Sequence, residues 1–261
     1  MRALALRLGG RTLTILEYLG GLSRLGGQAL AQGFRPPYDL FLLLRQIDMV
    51  GVRSLGIICI AAVFTGLVLA LQTAYALSRF GAKALSGMIV ALSMTRELGP
   101  VLTALLVGGR VGSGITAELG SMQVTEQIDA MRVMGTSPVK KLVVPRVIAT
   151  MFALPILTLI ADVVGILGGM VIMKHEFGVE YNQYYNSMIS YLKLTDLFSG
   201  LGKTVFFGLI IGLVGCYEGL KVTGGTEGLG RATTATVVIS SVLVLVSTFF
   251  LTKFFWWLEG W

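Results

Sequence analysis

Long apolar stretches separated by short polar ones dominate the sequence. Residues 54–77 contain no charged side chain, and neither do residues 232–252. About 20 consecutive apolar residues are enough for a helix to cross the hydrocarbon core of a bilayer. Each of these two stretches is therefore predicted to span a membrane on its own.

Three further apolar stretches have a similar length but carry one or two ionisable residues. They run from about 84 to 109 with Arg96 and Glu97, from 147 to 173 with Asp162, and from 197 to 217 with Lys203. We therefore predict an all-α integral membrane protein in which residues 1–53 form an amphipathic N-terminal region and residues 54–261 form the transmembrane domain. That domain is predicted to contain five transmembrane helices, at about 54–77, 84–109, 147–173, 197–217 and 232–252.

The composition supports membrane insertion and changes the meaning of the net charge. The chain of 261 residues is 54% hydrophobic and 13% charged, which is too few charged residues for a soluble domain of this size. A net charge of +7 can indicate nucleic-acid binding, but in a membrane protein it reports orientation. With the N-terminus in the cytoplasm, 14 Lys and Arg residues fall inside and five outside. This count predicts a cytoplasmic N-terminus, an external C-terminus and no nucleic-acid partner.

The cysteine and histidine content argues against a metal or disulfide framework. Cys59 and Cys216 both fall inside predicted spans, where they are expected to behave as small buried apolar residues. His175 is the only histidine, which excludes the two-histidine zinc motif of membrane metalloproteases. We predict no metal and no cofactor bound by this chain.

The first 33 residues are rich in leucine and arginine and are predicted to lie flat on the anionic inner leaflet. An ordinary packed helix is the alternative. A break at Pro36 and Pro37 then precedes a second predicted helix, over residues 39–52, that leads into the first span. The apolar face of the first helix is formed by Leu4, Leu8, Ile15, Leu19 and Leu22.

The polar segment 110–146 is placed on the cytoplasmic side and contains a predicted short helix at about 121–135. Thr125 is its predicted N-cap, and Gly135 ends it before Pro138. Two interpretations are open: a docking element for a soluble partner, or a surface helix that covers the end of the bundle. One face of this helix carries Val124, Ile128 and Met131, and other faces carry Glu126, Asp129 and Arg132.

Arg96 and Glu97 lie near the middle of the second predicted span. A single charge at that depth costs at least about 2.5 to 3.5 kcal/mol, so neither side chain is expected to face lipid tails. Pro100 lacks the amide hydrogen that would bond the Arg96 carbonyl oxygen. We therefore predict a broken helix that lines a polar cavity, with a charge network that locks the bundle as the alternative.

Lys203 lies about 10 Å into the fourth span, given a rise of about 1.5 Å per residue. Its ammonium is predicted either to reach back to the membrane surface or to face an anionic group inside a cavity. Residues 200–204, GLGKT, imitate the end of a phosphate-binding loop, but the first glycine of that motif would fall at Leu197. No nucleotide site is therefore predicted. Asp162 is left open between a contact with another helix and a position on the pathway.

The motif that carries the most specific information spans the second predicted helix and the polar segment after it. Residues 96–120 read RELGPVLTALLVGGRVGSGITAELG and residues 124–135 read VTEQIDAMRVMG. Together with VPR at 144–146, LP at 154–155 and GRATTATVV at 230–238, this stretch closely resembles the MlaE (YrbE) permease family. The resemblance covers most of the chain from about Ser54 onward.

The resemblance implies the homodimeric permease subunit of a bacterial inner-membrane ABC transporter that moves phospholipids between the inner and outer membranes. Implied partners are two cytoplasmic ATPase subunits that bind the ATP, often a small STAS-domain protein, and a periplasmic ring of MCE-domain subunits. Residues 121–135 would be the coupling helix, with Glu126, Ile128, Asp129, Met131 and Arg132 at the ATPase. Arg96, Glu97 and Lys203 would line a lipid cavity open to the periplasm, and Leu71, Gln72 and Tyr75 are candidates for its apolar wall.

Three other functions are kept as alternatives. The cavity residues do not identify a headgroup, so a sterol or an aromatic solvent is a possible substrate. A membrane-embedded enzyme would use Glu97 or Asp162 as an acid or base and would not need an ATPase. A scaffold for the MCE ring would not require Lys203 or Glu97 for its activity.

Overall fold

The computed structural model describes residues 2–33 and 40–258, and within them every regular element is helical. Five helices in this part of the chain are long and apolar enough to cross a membrane: Phe41–Ser78, Lys83–Val124, Val139–Phe177, Leu194–Leu220 and Gly225–Leu258. The elements are α1 (Arg2–Gly33), α2 (Leu40–Val50), α3 (Leu55–Ser78), α4 (Ser86–Ser93), α5 (Gly99–Val107), α6 (Ser113–Val124), α7 (Gln127–Val133), α8 (Val144–Phe177), α9 (Tyr181–Tyr191), α10 (Leu194–Leu220) and α11 (Gly225–Leu258).

The second spanning helix is a continuous rod that is longer than the sequence pattern predicted. Helices α4, α5 and α6 follow one another through two π-helical segments, Met94–Leu98 and Gly108–Gly112. Each π segment adds a residue to a turn, which shifts the side chains that follow around the axis without ending the helix. The helix beginning at Lys83 therefore runs to Val124, and residues 110–124 of the polar segment extend the rod.

Helix α1 packs on the bundle over its second half. Leu25 and Ala29 are buried, and the ring of Tyr18 meets the ring of Tyr217 edge-on at 5.0 Å between centroids. Leu19 is exposed and Leu22 is half-buried. For this half of α1 the structure matches the packed-helix alternative, because apolar groups of α10 cover one side of it. The side chains of Leu4, Leu8 and Ile15, and the break at Pro36 and Pro37, lie outside the described residues.

Close contacts between glycines hold the spanning helices together. A Cβ atom at Gly66 of α3 would overlap the carbonyl oxygen of Gly165 in α8. A Cβ at Gly208 of α10 would lie 2.6 Å from the carbonyl oxygen of Thr150 in α8. In lipid, the hydrophobic effect does not drive helices together. Helices there attract one another through van der Waals contacts at close range, and small residues allow that close approach.

The bundle has two distinguishable ends. Helix α9 packs against α4 next to the turn after α3, and we call this the α9 end. The short helix α7 follows α6 at the opposite end, here called the α7 end. Arg96 and Arg110 lie on the same long helix, so polar side chains near these two residues are separated by about 21 Å along it, at about 1.5 Å per residue.

Helix α7 is shorter than predicted and begins differently. Residues 121–124 belong to α6, which ends at Val124 with Thr125 as its C-cap, so the prediction of Thr125 as an N-cap is wrong. The N-cap is Glu126, which adopts a left-handed backbone with φ of 58°. That conformation lets the chain turn sharply between α6 and α7, a geometry that hydropathy does not report. Gly135, with φ of 74°, follows the helix as predicted.

Candidate functional site

Lys203 lies at the centre of a charged network inside the bundle. Its side chain is 1% exposed. The Nζ atom donates to Glu97 Oε1 at 2.6 Å and to the carbonyl oxygen of Arg96 at 2.9 Å. The predicted alternative in which Lys203 reaches the membrane surface is therefore wrong.

The π-helical segment Met94–Leu98 explains why the Arg96 carbonyl is available to Lys203. Pro100 has no amide hydrogen to offer the carbonyl four residues before it. The sequence predicted a break in the helix at this point, but the helix does not break. It widens to a π turn and continues, and the ammonium of Lys203 donates a hydrogen bond to the free carbonyl oxygen of Arg96.

Arg96 is held by an aspartate that sequence reasoning missed. Its guanidinium forms an ion pair with Asp196, and Arg96 Nε donates to Asp196 Oδ1 at 2.7 Å. Asp196 is 1% exposed and also accepts the Lys193 backbone N–H at 2.9 Å. Asp196 lies in the first turn of α10, just before the predicted span, where an acidic residue is ordinary. The sequence did contain a signal for this pair. Asp196 lies next to one predicted span, and Arg96 in another predicted span had no assigned acidic partner.

A third helix completes the network. Thr252 Oγ1 of α11 donates to Glu97 Oε1 at 2.8 Å. Close packing brings the helices together here, because a Cβ at Gly200 would overlap the carbonyl oxygen of Thr95. Gly200, three residues before Lys203, thus permits the approach of α10 to the π segment. We call Arg96, Glu97, Asp196, Lys203 and Thr252 the charged network.

One side of the charged network is open. The side chains of Arg96 and Glu97 are each 38% exposed, whereas their partners Asp196 and Lys203 are buried. Leu98, the residue after Glu97, lines a shallow groove of about 380 Å³ on the surface of α3. The other residues that line it are Phe64, Thr65, Val68, Leu69 and Gln72.

The three residues predicted for the apolar wall are separated in the structure. Gln72 lines the groove beside Leu98. Leu71 and Tyr75 do not line it; the Tyr75 ring packs edge-on against Phe177, with 5.4 Å between centroids. Residues on one helical face recur every three or four positions, and Leu71 lies one position from Gln72 and points about 100° away.

Asp162 is separate from the charged network. It is 2% exposed, and neither carboxylate oxygen has a hydrogen-bond partner among the described residues. It packs against Gly99, where a Cβ atom would overlap Oδ1. Asp162 therefore belongs to the contact between α8 and α5 and not to the open side of the network.

Helix α7 presents a different surface from the one predicted. Ile128 is fully buried and Met131 is half-buried, so these side chains attach α7 to the bundle. This disagrees with the predicted contact of Ile128 with a partner. Arg132 Nη1 pairs with Asp129 Oδ1 at 2.7 Å, and Glu126 is exposed. The sequence analysis overlooked Val133 and Met134, which are 89% and 72% exposed.

We expect Asp196→Asn to lower the stability of the protein, because the Arg96 guanidinium loses a charged partner. Arg96 is partly open to solvent, so the cost is limited to about 1–2 kcal/mol. Thermal unfolding in detergent measures it. The control is Asp129→Asn, which breaks an exposed pair and should cost about 0–1 kcal/mol. Equal shifts in the two variants would contradict a structural role for Asp196.

The fold and site together define a class. A bundle of five potential spans, with ionisable side chains paired in its interior and partly open on one side, is a multi-span membrane permease. The chain belongs to the MlaE permease family, whose model, Permease MlaE, matches residues 43–254.

Sequence similarity to other proteins covers most of the chain. A probable ABC transporter permease protein of Rickettsia felis is 42% identical over 247 residues, covering 95% of this chain and 95% of the relative. The intermembrane phospholipid transport system permease protein MlaE of Haemophilus influenzae is 38% identical over 212 residues, covering 81% of each chain. The chloroplastic protein TRIGALACTOSYLDIACYLGLYCEROL 1 of Arabidopsis thaliana is 38% identical over 81% of this chain and 61% of the relative.

Proposed function

We propose that this chain is the permease subunit of an ABC transporter that moves phospholipids between the inner and outer membranes and so helps to maintain the lipid asymmetry of the outer membrane. The observation that carries the proposal is the charged network. Lys203 and Asp196 are buried and hold Glu97 and Arg96 with one side open. A fixed cation and a fixed anion that are both partly open on one side of the bundle match a zwitterionic or anionic headgroup. The named function of the Haemophilus influenzae relative supports this substrate class.

The proposed location is the bacterial inner membrane, with the α7 end in the cytoplasm. The excess of lysine and arginine on the segments at that end supports this orientation. It places the N-terminus in the cytoplasm and the C-terminus in the periplasm. The charged network then lies nearer the periplasmic side, where a lipid would enter or leave.

The proposed partners follow the same orientation. Two copies of the chain would form the permease, with two ABC ATPase subunits and a STAS-domain protein at the α7 end, and a ring of MCE-domain subunits at the α9 end. ATP would be bound by the ATPase and no cofactor by this chain. The exposed apolar side chains of Val133 and Met134 support an ATPase contact at α7.

In the proposed mechanism, ATP binding closes the ATPase subunits and α7 transmits the motion. Ile128 and Met131 attach α7 to the bundle, so a displacement of α7 is passed to the spanning helices. Lipid is then transferred to or from the MCE ring because the two states of the permease bind it differently. No covalent chemistry is assigned to the chain.

We expect a cysteine introduced at Val133 to crosslink to a cysteine-containing ATPase subunit, because this side chain is the most exposed apolar group on the α7 segment. Gel electrophoresis of the oxidised complex measures the crosslink. Tyr191→Cys is the control, since it is 52% exposed at the α9 end and should not react. Crosslinking of Tyr191→Cys but not Val133→Cys would overturn the proposed orientation.

The substrate class is tested by identifying what the purified complex carries. Lipids extracted from the full complex and analysed by mass spectrometry should be phospholipids, and their amount should fall in Arg96→Gln, which lacks the half-exposed cation. Recovery of a sterol or an aromatic solvent instead would contradict the phospholipid assignment. Lipid turnover that continues with an inactive ATPase would contradict transport and favour an enzyme.

A further inference from the structure

A second polar cavity lies at the α7 end, about 21 Å along the helix from the charged network. Its volume is about 310 Å³, and it lies between α2, the turn that precedes α3, the π segment Gly108–Gly112 and α6. Apolar side chains, Met49, Val111 and Ile115 among them, form part of its wall. Polar side chains form the rest: Gln46, Arg53, Arg110 and Glu118.

The cavity contains two cations without an acidic partner. Among residues 2–33 and 40–258, no carboxylate lies within 4.0 Å of the guanidinium of Arg53 or Arg110. Arg110 is oriented by a neutral group, because its Nη1 donates to Ser54 Oγ at 2.8 Å. Ser54 is fixed in turn by donating to the Val50 carbonyl oxygen at 2.7 Å. A guanidinium has five N–H donors, so most of those on Arg110 are free.

The acid in the cavity wall is already neutralised. Glu118 Oε2 pairs with Arg146 Nη2 at 2.9 Å, and the Arg146 side chain is 4% exposed. Arg146 also donates to the Leu142 carbonyl oxygen, which keeps it in place beside Glu118. When Arg146, which lies behind the lining, is counted as the partner of Glu118, the site has an excess of two positive charges, supplied by Arg53 and Arg110.

Gln46 adds a buried donor that points at the cavity. It is 4% exposed and lines the cavity. Gln46 is therefore placed to donate to an acceptor that enters the cavity.

The depth of the cavity matches the headgroup layer. Arg53 lies two residues before α3, the helix that enters the hydrocarbon core, and Arg110 follows the apolar part of the second spanning helix. The hydrocarbon core is about 30 Å thick, with a polar layer on either side. Cations at this depth meet lipid phosphates from the side and soluble anions from the water.

We propose that this cavity binds a phosphate group at the α7 end of the protein, with Arg53 and Arg110 as its cationic ligands and Gln46 as a neutral donor. The apolar wall formed by Met49, Val111 and Ile115 favours a phosphate that carries a glycerol and acyl chains. A phospholipid headgroup and a free phosphate share this chemistry, and the test separates them. The site is distinct from the charged network and does not depend on transport.

The test measures lipid binding to the purified full-length chain by native mass spectrometry in detergent, without the ATPase. Dioleoyl phosphatidylglycerol is titrated into the wild-type protein and into Arg53→Gln/Arg110→Gln. We expect binding about tenfold weaker in the variant, since it loses two charged hydrogen-bond donors. Dioleoylglycerol, which has the same tails and no phosphate, should bind equally to both proteins.

The control is Arg24→Gln/Arg45→Gln, which removes two exposed arginines that do not line the cavity. It should bind phosphatidylglycerol within about twofold of the wild type, because general charge attraction contributes little per residue. Gln46→Leu keeps all the charges and should still weaken binding several-fold, which separates a built site from a diffuse one. Melting temperatures of all variants establish that they are folded.

Inorganic phosphate at increasing concentration identifies the source of the ligand. Displacement of phosphatidylglycerol by millimolar phosphate supports a site for the phosphate group alone, and resistance to it supports a lipid site. Equal loss in the cavity variant and the control, or no loss in the cavity variant, overturns the proposal. Because the readout is binding without the ATPase, a failure of the proposed transport function would leave this result unchanged.

Discussion

Lys203→Met is expected to reduce ATP-dependent lipid transfer by the reconstituted complex at least about tenfold. The substitution keeps the length of the side chain but removes the donor to Glu97 Oε1 and to the Arg96 carbonyl oxygen. Removing one member of a buried ion pair leaves the other without compensation, at about 3–5 kcal/mol when both are enclosed. Glu97 is 38% exposed and can be hydrated in part, so we expect about 2 kcal/mol in stability.

A second substitution separates transport from stability in this experiment. Glu97→Gln combined with Lys203→Met removes both charges and should restore most of the melting temperature, since no uncompensated charge is left. Transfer of fluorescent phospholipid to acceptor vesicles should stay low in the double variant if the pair contacts the substrate. Full recovery of transfer would instead assign the pair a purely structural role and favour a scaffold or locking function.

Gly66→Ala is expected to destabilise the bundle strongly. The new Cβ would overlap the carbonyl oxygen of Gly165, and backbone atoms cannot rotate away as a side chain does. Overpacking typically costs about 1–3 kcal/mol, and a clash with backbone at the extensive α3–α8 contact should reach the upper part of that range. Loss of the folded peak in size-exclusion chromatography and a lower melting temperature are the measurements.

Gly56→Ala is the matched control for this prediction. It lies on the same helix, α3, and a Cβ there has no neighbour within 4 Å. Alanine has a higher helix propensity than glycine by about 1 kcal/mol, so this change should leave the melting temperature unchanged or raise it. A similar loss in both variants would show that α3 and α8 do not approach as closely as described.

Hydropathy and charge determined the class of the protein because the bilayer imposes simple requirements. Every backbone polar group in the hydrocarbon core must be bonded within its own helix, so long apolar stretches predict spans with little ambiguity. Arg96, Glu97 and Lys203 were found in the same way, since ionisable residues at that depth need a partner or water. The missing amide of Pro100 even identified the Arg96 carbonyl as an available acceptor, and the structure shows that Lys203 occupies it.

The tertiary structure decided which residues meet, because pairing between helices depends on rotation and register that no periodicity in one helix reports. The π turn at Met94–Leu98 sets the direction of Arg96 toward Asp196, an acid that looked ordinary in the sequence. The left-handed Glu126 shortened α7 and turned Ile128 inward, leaving Val133 and Met134 outside. Leu71, Gln72 and Tyr75 were predicted together for the cavity wall, yet of these three only Gln72 lies on the groove beside Leu98. The sequence thus determined that ionisable side chains lie within the spanning helices. The packing of these helices at glycine contacts determined which partner each ionisable side chain binds.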